Sequence, residues 1–237
     1  LENFEPHVST AMLEGQRFNK TVMAVLRRTK LKHLHLARLS SLTETALITD
    51  PENIIEHCGF IQQLVPSLHD TSVFSLFERM CGNDENLASV QQWLVRIGFP
   101  HLLIRELNSS DFDVENSSIY DKQALQIDAL MQLITICCNS PVLRPVTVVP
   151  ELISALNVKI GELPPFVEDA RWGTFAAIHT EENTEKLRGL LQPAVDLINA
   201  NSIGIAGVTA VQILRNFTSF DTVIQPFIKA LDCPTLI

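Results

Sequence analysis

Residues 60–68 read FIQQLVPSL, and this short apolar segment decides the fold because four more segments of the same shape follow it. They are residues 99–107 (FPHLLIREL), 148–156 (VVPELISAL), 190–198 (LLQPAVDLI) and 223–231 (VIQPFIKAL). The apolar residues of the first segment recur at helical spacing, at Ile61, Leu64, Val65 and Leu68. This spacing predicts a short helix with one buried stripe in each copy. Because such a helix cannot bury its stripe alone, the pattern indicates a protein of stacked repeating units.

The distance between the five segments sets the size of the unit. Their starts lie 39, 49, 42 and 33 residues apart, close to the roughly 40 to 47 residues of armadillo and HEAT repeats. No linker divides the chain. We therefore expect an all-α fold, a right-handed armadillo/HEAT-like solenoid of about five helical repeats, with residues 1–237 as a single continuous domain.

Composition favours the same fold class. The 237 residues are 46% hydrophobic with a mean hydropathy of +0.16, enough for a large core and too apolar for disorder. No run reaches the roughly 18 apolar residues of a membrane span, and residues 1–10 lack the pattern of a signal peptide. We expect a protein of the cytoplasm, with the nucleus as a second location, and no membrane partner.

Cysteine usage indicates a reducing compartment. An odd number of cysteines without paired spacing predicts buried free thiols rather than disulfides. They are Cys58, Cys81, Cys137, Cys138 and Cys233.

Turn and capping residues predict where several helices begin and end. Asp50 followed by Pro51 starts one helix, and Gly59 ends it. Asp70 caps the helix predicted at residues 73–81, and Gly98 joins the helices predicted at residues 85–97 and 99–107. Residues 108–121 are rich in Ser, Asn and Asp and predict an exposed loop. The predicted helices cover residues 8–28, 31–48, 51–58, 60–68, 73–81, 85–97, 99–107, 122–138, 146–156, 167–178, 184–191, 194–200, 203–217 and 222–231.

Motifs of catalysis are missing from the sequence. There is no phosphate loop, dinucleotide glycine pattern, H-E-x-x-H, G-x-S-x-G or Cys-x-x-Cys, so we expect no enzyme, no cofactor and no small-molecule substrate. His33 and His35 face different sides of a helix and do not suit a shared metal. A calcium loop beginning at Asp111 fails because Asn116 and Lys122 replace its required Gly and Glu.

Single acids and the two tryptophans have structural explanations. Solvated helix faces account for Asp128, Glu168 and Asp169, and the helix dipole favours the cluster Glu181, Glu182 and Glu185 at a helix start. We expect Trp93 and Trp172 to be core anchors. The alternative for a Trp on a concave repeat surface is a binding hot spot.

Residues 17–38 form a strongly basic window, here called the basic stripe. It carries no acid and has a charge of +7, whereas the whole chain has a net charge of −9 and the remaining residues sum to −16. An acidic protein or RNA could bind there, although a solvated face is the commoner explanation and nucleic acid is the less favoured partner. Its residues are Arg17, Lys20, Arg27, Arg28, Lys30, Lys32 and Arg38.

Part of the chain resembles a known family. Residues 51–80, PENIIEHCGFIQQLVPSLHDTSVFSLFERM, and residues 90–107, VQQWLVRIGFPHLLIREL, are similar to successive helices of the SAPS domain. A Ser- and acid-containing loop at residues 109–113 and a helix at residues 123–138 follow, as they do in that family. Compressed loops and the break Leu163-Pro164-Pro165 depart from the family pattern.

The resemblance implies a function. SAPS proteins are regulatory subunits of the protein phosphatase 6 type of serine/threonine phosphatase, so it implies an armadillo-like scaffold that binds the catalytic subunit and helps present substrates. The implied contact region comprises Trp93, Ser109, Ser110, Asp111, Asp113 and Glu115. A generic armadillo/HEAT adaptor and an RNA-binding solenoid are the alternatives. An importer of basic nuclear signals is disfavoured because Ile97 stands where a Trp-x-x-x-Asn ladder needs Asn.

Overall fold

The computed structural model describes residues 16–28, 32–109, 122–157, 163–200, 204–220, 227, 229 and 230. Across these ranges every regular element is helical and no strand occurs, which confirms the all-α prediction. Short 3-10 helices cover Ile61–Ser67, Glu85–Leu87, Glu181–Asn183 and Arg188–Leu190. The α-helices of the described residues are α1 Gln16–Arg28, α2 His33–Thr49, α3 Pro51–His57, α4 Thr71–Cys81, α5 Ala88–Arg96, α6 Phe99–Ser109, α7 Lys122–Asn139, α8 Arg144–Thr147, α9 Pro150–Asn157, α10 Pro165–Ile178, α11 Thr184–Leu187, α12 Leu191–Asn199 and α13 Ile205–Phe220.

Five helices pack on one another in chain order. Helix α2 packs on α4, α4 on α7, α7 on α10 and α10 on α13. The other helices join this series from the side: α3 packs on α5, α5 on α6, α6 on α7, α8 and α9, and α12 on α13. Helix α1 packs against the 3-10 helix Ile61–Ser67.

Helix α7 lies in the middle of the series and buries most of its surface, although one face leaves Leu125, Gln132 and Asn139 exposed. It packs against α4, α6, α8 and α10, and a helix with so wide an apolar face needs such enclosure. Its buried residues are Ala124, Ile127, Ala129, Leu130, Met131, Leu133, Ile134, Cys137 and Cys138.

The recurring apolar segments form short helices where the structure describes them. Residues 99–107 lie in α6, most of 148–156 in α9 and most of 190–198 in α12. The first segment is a 3-10 helix instead of an α-helix. Pro66 lies inside it, and a proline ring clashes with the carbonyl four residues earlier in an α-helix. Most of the fifth segment lies outside the described residues.

The predicted caps and turns are largely confirmed. Asp70 caps α4, since its Oδ1 accepts a hydrogen bond from the Ser72 N–H at 3.0 Å. Pro51 begins α3 as predicted, but the Asp50 side chain makes no capping hydrogen bond. Gly98 has φ +70° between α5 and α6, in the left-handed region that glycine tolerates.

The thiols that the structure describes are buried and free, as predicted. They belong to Cys58, Cys81, Cys137 and Cys138, whereas Cys233 lies outside the described residues. Burial raises the pKa of Cys58 and of Cys138 to about 12. These two thiols therefore stay protonated near neutral pH and pack as small apolar side chains.

No helix among the described ranges has both the length and the apolar character needed to cross a membrane.

A stacked aromatic pair joins α4 to α6, and it gives a direct test of the core. The rings of Phe77 and Phe99 are both buried, with centroids 5.0 Å apart and an interplanar angle of 17°. We expect Phe77→Ala to lower the free energy of unfolding by about 3–5 kcal/mol, because it removes a buried ring and leaves a cavity. Urea denaturation measures this loss. Gln92→Ala, on the exposed face of α5, is the control, and an equal effect of both changes would contradict the packing.

Candidate protein-binding surface

The structure places Trp93 in the core. Its side chain is on α5, is 7% exposed and packs with the other buried residues, as expected for a core anchor. Ser109 is exposed at the end of α6, where its Oγ donates to the Glu106 carbonyl at 3.1 Å. The remaining contact residues, Ser110, Asp111, Asp113 and Glu115, lie outside the described residues. The contact of this region with a partner stays a prediction.

The basic stripe lies on α1 and at the start of α2. Lys20, Lys32 and Arg38 are exposed there. Helix α1 includes the backbones of Arg17, Arg27 and Arg28, whose side chains the structure does not describe. Lys30 lies outside the described residues. Asn19 anchors α1 by donating a hydrogen bond from Nδ2 to the His57 carbonyl at the end of α3. Exposed basic side chains therefore occur at the α2 end of the packing series.

His33 connects two helix starts. This exposed residue opens α2, and its Nδ1 lies 2.5 Å from Oδ2 of the buried Asp70, which also caps α4. His35 is exposed. No local sequence pattern predicts the contact between His33 and Asp70, because the two residues are 37 positions apart in the chain.

Asp169 and Asp128 differ from the solvated acids that the sequence predicted. Asp169 Oδ1 accepts a hydrogen bond from the Ala206 N–H at 2.7 Å and so satisfies a donor at the start of α13. Asp128 is half-buried and accepts from Gln132 Nε2 at 2.9 Å. Burial raises the pKa of Asp128, and the nearby charge of Asp169 acts in the same direction.

A buried ionic cluster lies on one face of α10. Arg171 is 2% exposed, and its Nη2 donates to Glu168 Oε1 at 2.5 Å, as does Trp172 Nε1 at 2.8 Å. Trp172 is buried, as predicted for a core anchor. Burial lowers the pKa of Arg171, although the charge of Glu168 opposes this shift. Glu168 therefore takes part in an ion pair with a buried arginine, whereas the sequence predicted that it would lie on a solvated helix face.

Several atoms of this cluster remain without a hydrogen bond. Among the described residues, Glu168 Oε2 and the Nε and Nη1 atoms of Arg171 are buried without a hydrogen-bond partner, although the Arg171 guanidinium lies over the Phe175 ring, 5.8 Å from its centroid. Each unpaired buried polar group costs roughly 1–3 kcal/mol. The ion pair is therefore a costly feature whose chief attraction is the single contact through Glu168 Oε1.

Arg144 joins the ends of two helices. Its Nη1 donates to the Cys138 carbonyl at 2.7 Å and to the Ala177 carbonyl at 3.0 Å, in the last turns of α7 and α10. The carbonyls of a final helical turn lack intrahelical donors and carry the negative end of the helix dipole, so a guanidinium suits both.

Side-chain amides bridge other helices in the same way. Gln126 of α7 donates to the Val65 carbonyl at 2.7 Å and accepts from the His69 N–H at 2.9 Å. Gln91 of α5 donates to the Gly82 carbonyl and accepts from Ser140 Oγ at 3.0 Å. These side chains hold turns of one part of the series against helices of the next.

The polar side chains described above are divided between helix junctions and exposed helix faces. Among the described residues no group of three or more His, Cys, Asp or Glu side chains is placed to hold a metal ion. Gln91, Gln126 and Arg144, which are buried or half-buried, join helices and turns to one another, whereas the Glu168–Arg171 pair lies within α10. Lys20, Lys32 and Arg38 of the basic stripe lie on the exposed surface.

Comparison of the chain with family models, curated proteins and solved structures finds no match. The resemblance to the SAPS domain therefore rests on the sequence of residues 51–138 alone.

The Glu168–Arg171 pair is tested by a double-mutant cycle. We expect Glu168→Gln to lower the free energy of unfolding by about 3 kcal/mol, because the buried guanidinium loses its counter-ion. Arg171→Met leaves the carboxylate buried without its cation. The double variant Glu168→Gln/Arg171→Met removes both charges and should be less destabilised than the sum of the two single changes. Additive losses in urea denaturation would contradict the coupling.

His179 makes the stability of the folded chain depend on pH. The residue is buried after α10, its Nε2 lies 3.2 Å from Thr184 Oγ1, and its ring centroid is 4.5 Å from that of Phe217. Burial lowers its pKa below the ordinary value of 6.5. The unfolded chain therefore takes up the proton more readily than the folded chain. Stability from neutral His179 is present above about pH 6.5 and is lost as pH falls from there through the lower folded pKa.

We expect His179→Gln to reduce the fall in thermal midpoint between pH 7 and pH 5. Part of the fall remains, because burial also lowers the pKa of His69. His101→Gln, at an exposed position of α6, is the matched control and should leave the profile unchanged. Equal profiles for the wild type and the His179 variant would contradict the assignment.

Proposed function

We propose that this protein is an armadillo/HEAT-like α-solenoid that acts as a noncatalytic regulatory or scaffold subunit of a serine/threonine protein phosphatase. It binds the catalytic subunit and helps present substrates in the cytoplasm, with the nucleus as a second location. The observation that carries the proposal is the chain-order packing of α2, α4, α7, α10 and α13.

The spacing of these helices supports a repeating unit. They begin at residues 33, 71, 122, 165 and 205, at intervals of 38, 51, 43 and 40 residues. The recurring apolar segments have intervals of 39, 49, 42 and 33 residues. In repeat proteins each unit contacts its neighbours along the series, and the product is an extended binding surface.

Binding follows from this architecture more readily than catalysis does. A prefolded helical surface loses little conformational entropy when a partner associates. Gln91, which is buried, and Gln126 and Arg144, which are half-buried, are engaged in joining helices and turns. The choice of a phosphatase as partner is supported by the resemblance of residues 51–138 to the SAPS domain.

An acidic partner or RNA at the basic stripe is the second candidate. The exposed Lys20, Lys32 and Arg38 support it. Nucleic-acid binding of this kind depends steeply on salt because counterions are released from the phosphates.

Affinity purification with the full chain as bait tests both candidates. We expect mass spectrometry to find a serine/threonine phosphatase catalytic subunit, and we expect Lys32→Glu/Arg38→Glu to leave its yield unchanged. Lys186→Glu/Arg215→Glu, at exposed positions of α11 and α13 outside the predicted contact region, is the charge-matched control.

Three other outcomes would redirect the proposal. Recovery of a different protein partner without a phosphatase would favour the generic adaptor. If phosphatase recovery is lost with the Lys32/Arg38 variant but not with the control variant, the basic stripe would be the contact surface for the phosphatase. Salt-sensitive RNA capture that this variant abolishes would favour the RNA-binding solenoid.

A further inference from the structure

Two buried thiols meet where α4 packs on α7. Cys81 is the last residue of α4, and Cys137 lies in the last turn of α7. Both residues are completely buried, and their side chains are hydrogen-bonded to each other. We call Cys81 and Cys137 the thiol pair. The pair therefore joins two consecutive helices of the packing series through atoms that can also form a covalent bond.

A second set of contacts fixes the same junction. The buried amide of Gln91 donates to the Gly82 carbonyl and accepts from Ser140 Oγ at 3.0 Å. Gly82 directly follows Cys81, and Ser140 comes one helical turn after Cys137. One amide thus ties down the chain just after each thiol. The proximity of the two cysteines therefore also follows from the backbone contacts at both helix ends.

Helix geometry separates the neighbouring Cys138 from the thiol pair. Cys138 is also completely buried, but consecutive side chains of an α-helix point about 100° apart. Cys138 consequently presents its thiol to a different side of α7 than Cys137 does. A disulfide also requires converging Cβ atoms, which consecutive helical residues do not provide. Cys138 is therefore a matched internal control for Cys137.

The environment of the thiol pair controls how fast it reacts. Contact with the Cys81 thiol and burial raise the pKa of Cys137 well above its ordinary value. Thiolates, rather than thiols, attack peroxides and disulfides. The folded pair therefore reacts more slowly than an exposed cysteine and responds to sustained rather than brief exposure to an oxidant.

We propose that Cys81 and Cys137 are a reversible oxidative modification site, at which a peroxide links α4 covalently to α7. One thiolate attacks a peroxide oxygen and becomes a sulfenic acid, and the released hydroxide takes up a proton to form water. The second thiol then attacks the sulfenic sulfur, forms the S–S bond and releases another water molecule. The two thiols lose two electrons and two protons, and the peroxide is reduced to two water molecules.

The cross-link closes the chain around residues 82–136 and locks the two helices together. A small thiol reductant reverses it by exchange, in which two reductant thiols become one disulfide and both cysteines are restored. A reducing compartment, which the cysteine usage indicates, keeps the pair as thiols at rest. This inference is independent of the phosphatase assignment.

Hydrogen peroxide treatment of the folded full chain tests the site. After alkylation of the remaining thiols, we expect mass spectrometry to find a linked peptide that joins Cys81 to Cys137. Its yield should exceed that of any link between Cys81 and Cys58 by about tenfold or more, because the fold holds the pair together. Concentrated urea should abolish this preference. Cys137→Ala should remove the link, whereas Cys138→Ala should retain it.

Several outcomes would overturn the proposal. One is that both thiols stay unmodified in the folded chain, and another is that they oxidise to separate sulfinic acids without a linked peptide. Equal linkage in Cys137→Ala and Cys138→Ala would also overturn it, because Cys138 would then serve as well as Cys137. The comparison of folded and urea-treated wild type needs no variant, so it holds even if a cysteine substitution destabilises the core.

Thermal unfolding of the oxidised chain gives a second readout. A cross-link around residues 82–136 restricts the unfolded chain, so we expect the thermal midpoint to rise by about 5 °C or more. A thiol reductant should return the midpoint to its original value. Cys81→Ala, which cannot form the link, should show no rise after the same treatment. A linked chain with an unchanged or lower midpoint would contradict the lock, because the thiols would then have left their folded positions to react.

Discussion

Burial of most of the surface of α7 is the constraint on which the rest of the structure depends. A helix with so wide a buried apolar face is stable only when other helices enclose it. Each square ångström of apolar surface removed from water contributes about 25 cal/mol. Helices α4 and α10 enclose α7 from the two directions of the series, and α6 and α8 close it from the side. The order of packing follows from this enclosure.

Polar side chains then set how the helices join. The packing of α10 on α7 brings the last carbonyls of both helices within reach of Arg144, which donates to both. Asp169 accepts from the Ala206 N–H in the first turn of α13. Thr174 of α10 donates to the Met131 carbonyl of α7 at 3.1 Å, in the most extensive helix contact of the described chain. These bonds satisfy groups that helix ends and buried faces would otherwise leave unpaired. They explain why so many polar residues of the interior join helices.

Local patterns predicted local features well. The cap at Asp70, the glycine at Gly98 and the burial of Trp172 follow from residue types and spacing within a few positions. The candidate site was less accessible to such reasoning. The sequence predicted Trp93 as a core anchor, and the resemblance also placed it in the partner contact; its burial within the core depends on helices that are distant along the chain. The exposed face of α13 was equally hidden, because its sequence is apolar on both sides and only its neighbours decide which side is covered.

The sequence by itself determined the helical class, the approximate limits of most helices and the free, buried state of the described thiols. These properties depend on backbone preferences and on the burial of apolar side chains, which act over one or two helical turns. The tertiary structure alone decided that His33 meets Asp70, that Arg171 is buried beside Glu168, and that Ile205, Val208 and Val211 of α13 are exposed. The reason is physical. Burial, hydrogen-bond partners and dielectric environment are properties of the packed neighbours, and for His33 and Asp70 those neighbours lie 37 residues apart.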